Sequence, residues 1–156
     1  MKSVEGRYEK LRKKYHLPKL KDLVKEFAVK LEDPDLVLHD IVDRIKDKLL
    51  KRAKILESII FVRVSSDPSS MYETKMLKEE KKEAFEIFKK LMSVAWKGER
   101  AEASGKEKEM ASFVRESYND WIVGMKKDFI DLCESLEKKW KNVSLREKPE
   151  GMMYYG

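Results

Sequence analysis

The sequence predicts an all-α fold, an antiparallel bundle of three long helices with two short N-terminal helices packed against it. The chain of 156 residues is 42% hydrophobic and 41% charged, with only 6 Gly and 4 Pro. This composition suits long amphipathic helices better than a sheet, which needs frequent turns and β-branched runs. Apolar residues also recur at helical spacing through three long segments. We expect residues 1–156 to form one helical domain, because this length fits a single core.

The two short helices are predicted within residues 1–33, the basic N-terminal part of the chain. One helical face carries Val4, Tyr8, Leu11 and Tyr15. This spacing predicts a first helix from Ser3 to Tyr15. Pro18 ends it, because proline disfavours helical geometry in the residue before it. The apolar positions of a second short helix are Leu20, Leu23, Val24, Phe27 and Leu31.

The three long helices are predicted within residues 34–142. The third helix of the chain runs from Pro34 to about Val62, with Asp33 as its N-cap. Its apolar stripe consists of Leu38, Ile41, Val42, Ile45, Leu49, Ala53, Leu56 and Ile60. Ser70 and Glu73 have the spacing of a capping box at the start of the fourth helix.

The fourth helix is predicted to end near Gly105, and Gly98 inside it should weaken it by about 1 kcal/mol. Its apolar positions are Leu77, Ala84, Phe85, Phe88, Leu91, Met92 and Ala95. The fifth helix is predicted from Lys106 to Asn142. Its inward stripe is Met110, Phe113, Val114, Ser117, Trp121, Met125, Phe129, Leu132, Leu136 and Trp140.

Further apolar residues lie beside these stripes, at Ile55, Ile59 and Val62 on the third helix and at Tyr118, Ile122 and Cys133 on the fifth. A helix that is apolar over more than ~100° has more surface to bury than one neighbour covers. Contact with two helices of a three-helix core accounts for this excess. The alternative is that a dimer or another protein buries it.

The polar composition indicates a thermophilic, archaeal source. Gln is absent, Asn occurs at Asn119 and Asn142, and Thr occurs at Thr74, beside abundant Lys and Glu. Few thermolabile residues and many charged ones are typical of hyperthermophile proteins. The alternative is a mesophile with an AT-rich genome, but codon bias of that kind also raises Asn.

A cytoplasmic location without a membrane segment is expected. No stretch approaches the ~20 apolar residues that span a bilayer, and "MKSVEGRYEK" contains no apolar signal-peptide segment. The single cysteine, Cys133, excludes an intrachain disulfide.

The net charge of +6 is concentrated in residues 1–21, which hold eight basic residues against Glu5 and Glu9. A basic segment of this kind suits phosphate contacts, with Tyr8 and Tyr15 stacking on bases. The candidate nucleic-acid contacts, including two on the third helix, are Lys10, Arg12, Lys13, Lys14, Lys19, Lys21, Lys51 and Arg52. The alternative is a solvated helix face with both tyrosines packed by their helical spacing, which the tyrosines fit better.

Catalytic, cofactor and metal sites are not expected. His39 and Asp43 have the i, i+4 spacing of metal ligands, but two ligands do not make a site, and acidic residues favour the start of a helix. The sequence contains no phosphate-binding glycine loop, nucleophile elbow or CxxC pair. Cys133 follows the inward stripe, so we expect a buried thiol. These observations predict a protein that is not an enzyme and has no cofactor.

The end of the chain, "EKPEGMMYYG", is apolar, unlike the sequence before it. Pro149 and Gly151 disfavour a helix, so residues 143–156 are predicted to form an extended tail. The tail ends in candidate docking residues, Met152, Met153, Tyr154 and Tyr155. We expect them to fold back on the same or a neighbouring subunit, and the alternative is an anchor for a partner.

The function that these features predict is that of a non-enzymatic helical-bundle scaffold or adaptor. It would act through protein–protein contacts, with another protein or further copies of itself as partner. The alternative is a nucleic-acid-binding protein that uses residues 7–21 and the basic face of the third helix.

Overall fold

The computed structural model describes residues 3–61 and 78–142, and the predicted all-α class is confirmed for these ranges, which contain helices and no strand. In the two described ranges, the first four α-helices are α1 Val4–Tyr15, α2 Leu20–Phe27, α3 Val37–Ile60 and α4 Lys78–Ser104. The fifth, α5, consists of Glu107–Asp120, a π turn at Trp121–Met125, and Lys126–Lys141. The predicted capping box at Ser70 and Glu73 lies outside the described residues.

The N-terminal helices begin and end for local reasons. The Ser3 hydroxyl caps α1 by accepting a hydrogen bond from the Gly6 amide at 3.0 Å. His16 ends α1 and Ala28 ends α2, each with a left-handed backbone (φ 57° and 55°). The predicted second helix reached Leu31 and is therefore too long, because the chain turns at Ala28.

The start of α3 follows its capping residue. A carboxylate oxygen of Asp33 accepts a hydrogen bond from the Asp35 amide at 2.9 Å, and a 3₁₀ turn, Pro34–Leu36, precedes the α-helix. The predicted stripe of α3 is confirmed, since every member is buried: Leu38, Ile41, Val42, Ile45, Leu49, Ala53, Leu56 and Ile60. This stripe forms the centre of the core.

Helix α3 packs against both α4 and α5. Lys46, in the first half of α3, contacts Glu99 near the end of α4, whereas Phe61 contacts Phe88 nearer its start. These two helices therefore run in opposite directions. Helices α1 and α2 also contact α3, and α1 contacts the first part of α5.

The inward face of α4 differs from the predicted stripe. Phe85 is 41% exposed, and Phe88 and Met92 are only partly buried. The buried residues of this helix are Glu80, Ala84, Ile87, Leu91, Val94, Ala95, Gly98 and Ala101. Small residues therefore face α3 and α5 from the second half of α4, and part of its bulky apolar surface lies outside the core.

Gly98 permits a close approach between helices. A Cβ atom built there would lie 2.7 Å from Lys46 Cγ and 2.7 Å from Phe113 Cζ. The glycine therefore has a packing function in addition to the cost in helix propensity that the sequence indicates. Gly105 ends α4 as predicted, with φ +66°.

The π turn in α5 was not predicted. It contains Trp121, which is 3% exposed and lies near the rings of Phe27 and Phe129, with centroid distances of 6.3 and 6.5 Å. An added residue in a helical turn changes which side chains face the core after it. Trp121 thus contacts α2 through Phe27 and the last part of α5 through Phe129.

The last part of α5 is less buried than its predicted stripe suggests. Leu132 is buried and Leu136 is half-buried, but Trp140 is 45% exposed. The expectation of a buried Cys133 is wrong, because this residue is exposed. Fewer side chains are therefore buried in the last part of α5, Lys126–Lys141, where Leu132 is the buried residue.

Candidate interaction surfaces

The two tyrosines of the basic N-terminal segment belong to the folded core. Tyr8 is 1% exposed, and its hydroxyl donates a hydrogen bond to the carbonyl oxygen of Pro18. Tyr15 is half-buried, and its hydroxyl donates to Glu107 Oε2 at 2.6 Å. Burial raises the pKa of Tyr8. These contacts favour the packing interpretation of the tyrosines over base stacking.

Glu107 anchors α1 to the beginning of α5. Its carboxylate also accepts hydrogen bonds from Arg7 and Lys14, both at 3.3 Å. The hydrogen bond from Tyr15, assisted by Lys14, lowers the pKa of Glu107. A second contact links the same two helices, because Arg115 Nη1 on α5 donates a hydrogen bond of 3.1 Å to the carbonyl oxygen of Tyr15. Part of the basic segment is therefore used to hold the fold together.

The remaining basic residues of this segment differ in their exposure and in the ion pairs that they make. Arg12 pairs with Glu9 at 2.9 Å. Exposed lysines occur at Lys10, Lys13, Lys19 and Lys21. They lie along α1 and around the start of α2, and with Lys14, which is exposed and pairs with Glu107, they form the exposed part of the predicted nucleic-acid surface on this segment.

The two predicted contacts on α3 lie in different environments. Lys51 is exposed. The guanidinium of Arg52 lies 4.4 Å from the centroid of the Trp121 ring, and burial lowers its pKa. Its Nη1 atom is buried and has no hydrogen-bond partner in the described part of the chain. A cation stacked on an indole contributes to packing, so Arg52 is not part of an exposed basic face.

Glu26 joins α2 to the π turn. Its carboxylate accepts hydrogen bonds from Trp121 Nε1 at 3.0 Å and from Lys126 Nζ at 2.6 Å. The side chain is only 9% exposed. Burial acts to raise the pKa of Glu26, but the hydrogen bonds from Lys126 and Trp121 outweigh it and lower the pKa. The sequence gives no signal for this site, because its members are far apart along the chain.

Lys46 joins α3 to α4. Its ammonium lies 2.8 Å from Glu99 and 3.6 Å from Asp43, and it also contacts Glu102. The side chain is 10% exposed. Burial acts to lower the pKa of Lys46, but the hydrogen bonds to Glu102 and Glu99 outweigh it and raise the pKa. Breaking such a pair leaves a charge without its partner, so this contact fixes the relative position of the two helices.

The residues considered for metal binding, His39 and Asp43, lie one turn apart on α3. Asp43 pairs with Lys46, and His39 is half-buried near the start of α3. Within residues 3–61 and 78–142, no group of three or more His, Cys, Asp or Glu side chains is arranged to hold a metal ion.

An exposed apolar strip lies on the outside of α3 and α4, and we call it the outer face. It consists of Leu50, Phe61, Phe85, Phe88, Met92 and Trp96. Trp96 is 67% exposed and Phe61 is 55% exposed. Phe61 and Phe88 make an edge-to-face contact with centroids 5.5 Å apart, which joins the two helices across the strip.

The outer face also contains a pocket. It has a volume of about 260 Å³ and is lined by Lys46, Leu50, Met92, Ala95, Trp96 and Glu99. Lys46 and Glu99 of the ion-pair network line this pocket together with Trp96, so the exposed indole ring lies beside the contact between α3 and α4. Helix α2 meets α3 elsewhere, through a hydrogen bond of 3.0 Å from Arg44 Nε to the Ala28 carbonyl oxygen.

Comparisons with protein-family models, curated proteins and solved structures give no match for this chain. In the described residues, no helix has the length and apolar character needed to cross a membrane. The candidate docking residues Met152, Met153, Tyr154 and Tyr155 lie outside the described ranges, as does the whole predicted tail.

Proposed function

We propose that this protein is a non-enzymatic helical scaffold or adaptor that acts through protein–protein contacts. In this proposal the three long helices form an antiparallel bundle, the two short N-terminal helices pack on it, and the bundle presents a binding surface. The outer face is the observation that carries the proposal. Contiguous exposed apolar surface on a folded domain is typical of a contact site for another protein.

The composition of the outer face supports a protein partner. Aromatic residues and Met are enriched in protein interfaces, and Trp is frequent among the residues that contribute most to binding. Trp96, Phe61 and Phe85 supply this chemistry on one side of the molecule. The Lys46 network and the close packing at Gly98 hold the two helices that display it. A rigid surface loses little conformational entropy on binding.

A capture experiment with matched variants tests this proposal. The full-length chain, Trp96→Asp and Val123→Asp are each immobilised and exposed to extract of the source organism. Val123 is a suitable control because it is 74% exposed and lies in the π turn of α5, where it lines a pocket between α4 and α5 and not the outer face. We expect proteins bound by the unmodified chain to be retained by Val123→Asp and lost by Trp96→Asp. Equal retention by both variants would contradict the proposal.

Nucleic-acid binding is the second candidate function, and the exposed lysines of the N-terminal segment favour it. Neutralising Lys10, Lys13, Lys19 and Lys21 to Gln should abolish a gel shift with mixed DNA and RNA if this function is correct. The matched control neutralises four exposed lysines of α4, namely Lys82, Lys89, Lys90 and Lys97. Strong binding that collapses with added salt and depends on the N-terminal set alone would place this function first.

A further inference from the structure

We propose that the surface where α1 meets the first part of α5 binds the phosphate backbone of double-stranded nucleic acid without reading its sequence. We call it the basic surface, and it consists of two rows of side chains, Arg7, Lys10 and Lys14 on α1 and Lys108, Ser112 and Arg115 on α5. The proposal goes beyond the scaffold function, because it uses α1 and α5 and not the outer face on α3 and α4. It rests on the second candidate function, to which it adds the contacts on α5 and the class of nucleic acid.

The row on α1 is the edge of that helix which borders α5. Arg7, Lys10 and Lys14 are spaced at i, i+3 and i+7, which places them along one side of the helix. Arg7 and Lys14 each lie 3.3 Å from the carboxylate of Glu107 at the start of α5. Acidic residues of α1 occur on the opposite side of this helix, at Glu5 and Glu9.

The row on α5 continues the surface on the other side of Glu107. Lys108, Ser112 and Arg115 are spaced at i, i+4 and i+7, so they also share one side of their helix. Lys108 and Arg115 are exposed. The hydrogen bond from Arg115 to the Tyr15 carbonyl oxygen, at 3.1 Å, places this row beside the end of α1. Lys, Arg and Ser are side chains that commonly contact phosphate oxygens.

The carboxylates near the two rows are bound or lie towards α4. Glu107 accepts hydrogen bonds from Tyr15 at 2.6 Å and from both basic ends of the α1 row, so its charge is compensated. Glu109 and Glu116 line a pocket between α4 and α5 together with basic residues of α4, Lys97 and Arg100. Positive charge is therefore in excess on the side of α5 that borders α1.

The dimensions of the basic surface suit a duplex. Each row spans seven positions, or about 10 Å along its helix, which is the length of about three phosphates on one strand. Helices in contact lie about 8–10 Å apart, and the grooves of DNA are about 6–12 Å wide. The two rows can therefore follow the two strands on either side of a groove.

The basic surface has no exposed ring on which a base could stack. Tyr8 is 1% exposed. The Tyr15 hydroxyl is bound to Glu107, and Lys14 Nζ lies over its ring, 5.1 Å from the centroid. Proteins that prefer single strands combine cations with aromatic stacking platforms, whereas cations alone neutralise the denser charge of a duplex. The basic surface therefore favours a duplex of any sequence.

The test measures binding of the full-length chain to two short DNA duplexes of unrelated sequence and to a single strand, by fluorescence anisotropy at several salt concentrations. We expect equal affinity for the two duplexes, weaker binding of the single strand, and a Kd that rises steeply with salt. Lys108→Gln should reduce the slope of log Kd against log salt concentration by about 1, and the double variant Lys108→Gln, Arg115→Gln by about 2. The matched control is Lys127→Gln with Lys138→Gln, which removes the same charge from exposed positions in the last part of α5 and should leave the slope unchanged.

Thermal unfolding checks that the double variant stays folded, since Arg115→Gln removes the hydrogen bond to Tyr15. The result for Lys108→Gln alone decides the question if the double variant does not fold. Trp96→Asp should bind the duplexes as the unmodified chain does, because Trp96 belongs to the outer face.

Several results would overturn this inference. These are no duplex binding at low salt, tighter binding of the single strand or of one duplex sequence, an unchanged slope in Lys108→Gln, and an equal change of slope in the control pair. Displacement of the duplex by poly-glutamate at the same concentration of charge would make the partner an acidic protein and would also overturn it. If the N-terminal lysine variant loses binding and the α5 variants do not, the second candidate function stands and the basic surface fails.

Discussion

At the scale of single residues, Gly98 shows how one missing side chain sets the distance between helices. A Cβ atom there would come within 2.7 Å of Phe113 Cζ, and Phe113 is only 5% exposed, so its ring has little room to move. Glycine at this position lowers the helix propensity of α4 but permits close packing against α3 and α5. The same contact brings the Lys46 side chain across α4 towards Glu99.

Gly98→Ala should lower the free energy of unfolding. Alanine gains about 1 kcal/mol in helix propensity, but overpacking of a filled core costs about 1–3 kcal/mol, so we expect a net loss of up to about 2 kcal/mol. Urea denaturation measures the change. Gly124→Ala is the control, because a Cβ atom at Gly124 has no neighbour within 4 Å, and this variant should be stabilised. Stabilisation of both variants would contradict the packing function of Gly98.

The acid dependence of stability should depend on Glu26. Its pKa is lower in the folded chain than in the unfolded chain. The contribution of its ion pair is therefore present above the unfolded pKa and is lost as the pH falls through the lowered folded pKa. We expect Glu26→Gln to cost about 1 kcal/mol at neutral pH and much less in acid, as measured by thermal unfolding at several pH values. An equal loss of stability at neutral and acidic pH would contradict this prediction, because it would show that the charge of Glu26 does not contribute.

At the scale of elements, α1 is held to the bundle by a small number of polar contacts around Glu107, together with the buried Tyr8 and Leu11. An element attached in this way can open locally while the long helices stay folded. The contacts of α3 with α4 and α5 are more extensive than those of α1 with its neighbours. Among the described helices, we therefore expect the free energy of local unfolding to be lowest for α1 and α2.

Glu107→Gln should loosen α1 selectively. The change weakens the contacts of Arg7, Lys14 and Tyr15 with the start of α5, because these groups then lose a charged acceptor. Hydrogen exchange is the appropriate measurement. We expect amide protection to fall in α1 and to stay unchanged in α3. The control is Glu86→Gln, which breaks an exposed pair on α4 and should change neither. A uniform loss of protection through the chain would contradict this account of α1.

Much of the element order could be predicted from the sequence, because the signals are local. The apolar stripe of α3, the caps at Ser3 and Asp33 and the stop at Gly105 each depend on neighbours within a few positions. Periodicity alone reveals which residues share a face, and this was sufficient for the core of α3.

The remaining features depend on contacts between distant parts of the chain. The closeness of Gly98 to Phe113, the stacking of Arg52 on Trp121 and the π turn cannot be deduced from the spacing within one helix. Helix α4 is the clearest case, because its apolar residues exceed what one inward face can bury. Periodicity predicts Phe85 as a core residue, and only the packing of α3 against α4 places it on the outer face.

At the scale of the whole molecule, opposite sides of α3 have different functions in this account. One side receives α2 and the first part of α5, and the other side forms the outer face with α4. Buried ion pairs at Lys46 and Glu26 fix the helices on both sides. In the proposed function, the helices form a rigid support, and the exposed aromatic surface binds a partner protein.

The measurement that most directly tests contact through the outer face is capture of proteins from extract of the source organism by the immobilised full-length chain, Trp96→Asp and Val123→Asp. Trp96 is the most exposed aromatic residue of the outer face, so a charge there should remove the contact. We predict that the proteins bound by the unmodified chain are retained by Val123→Asp and lost by Trp96→Asp. Equal retention by both variants would contradict the account.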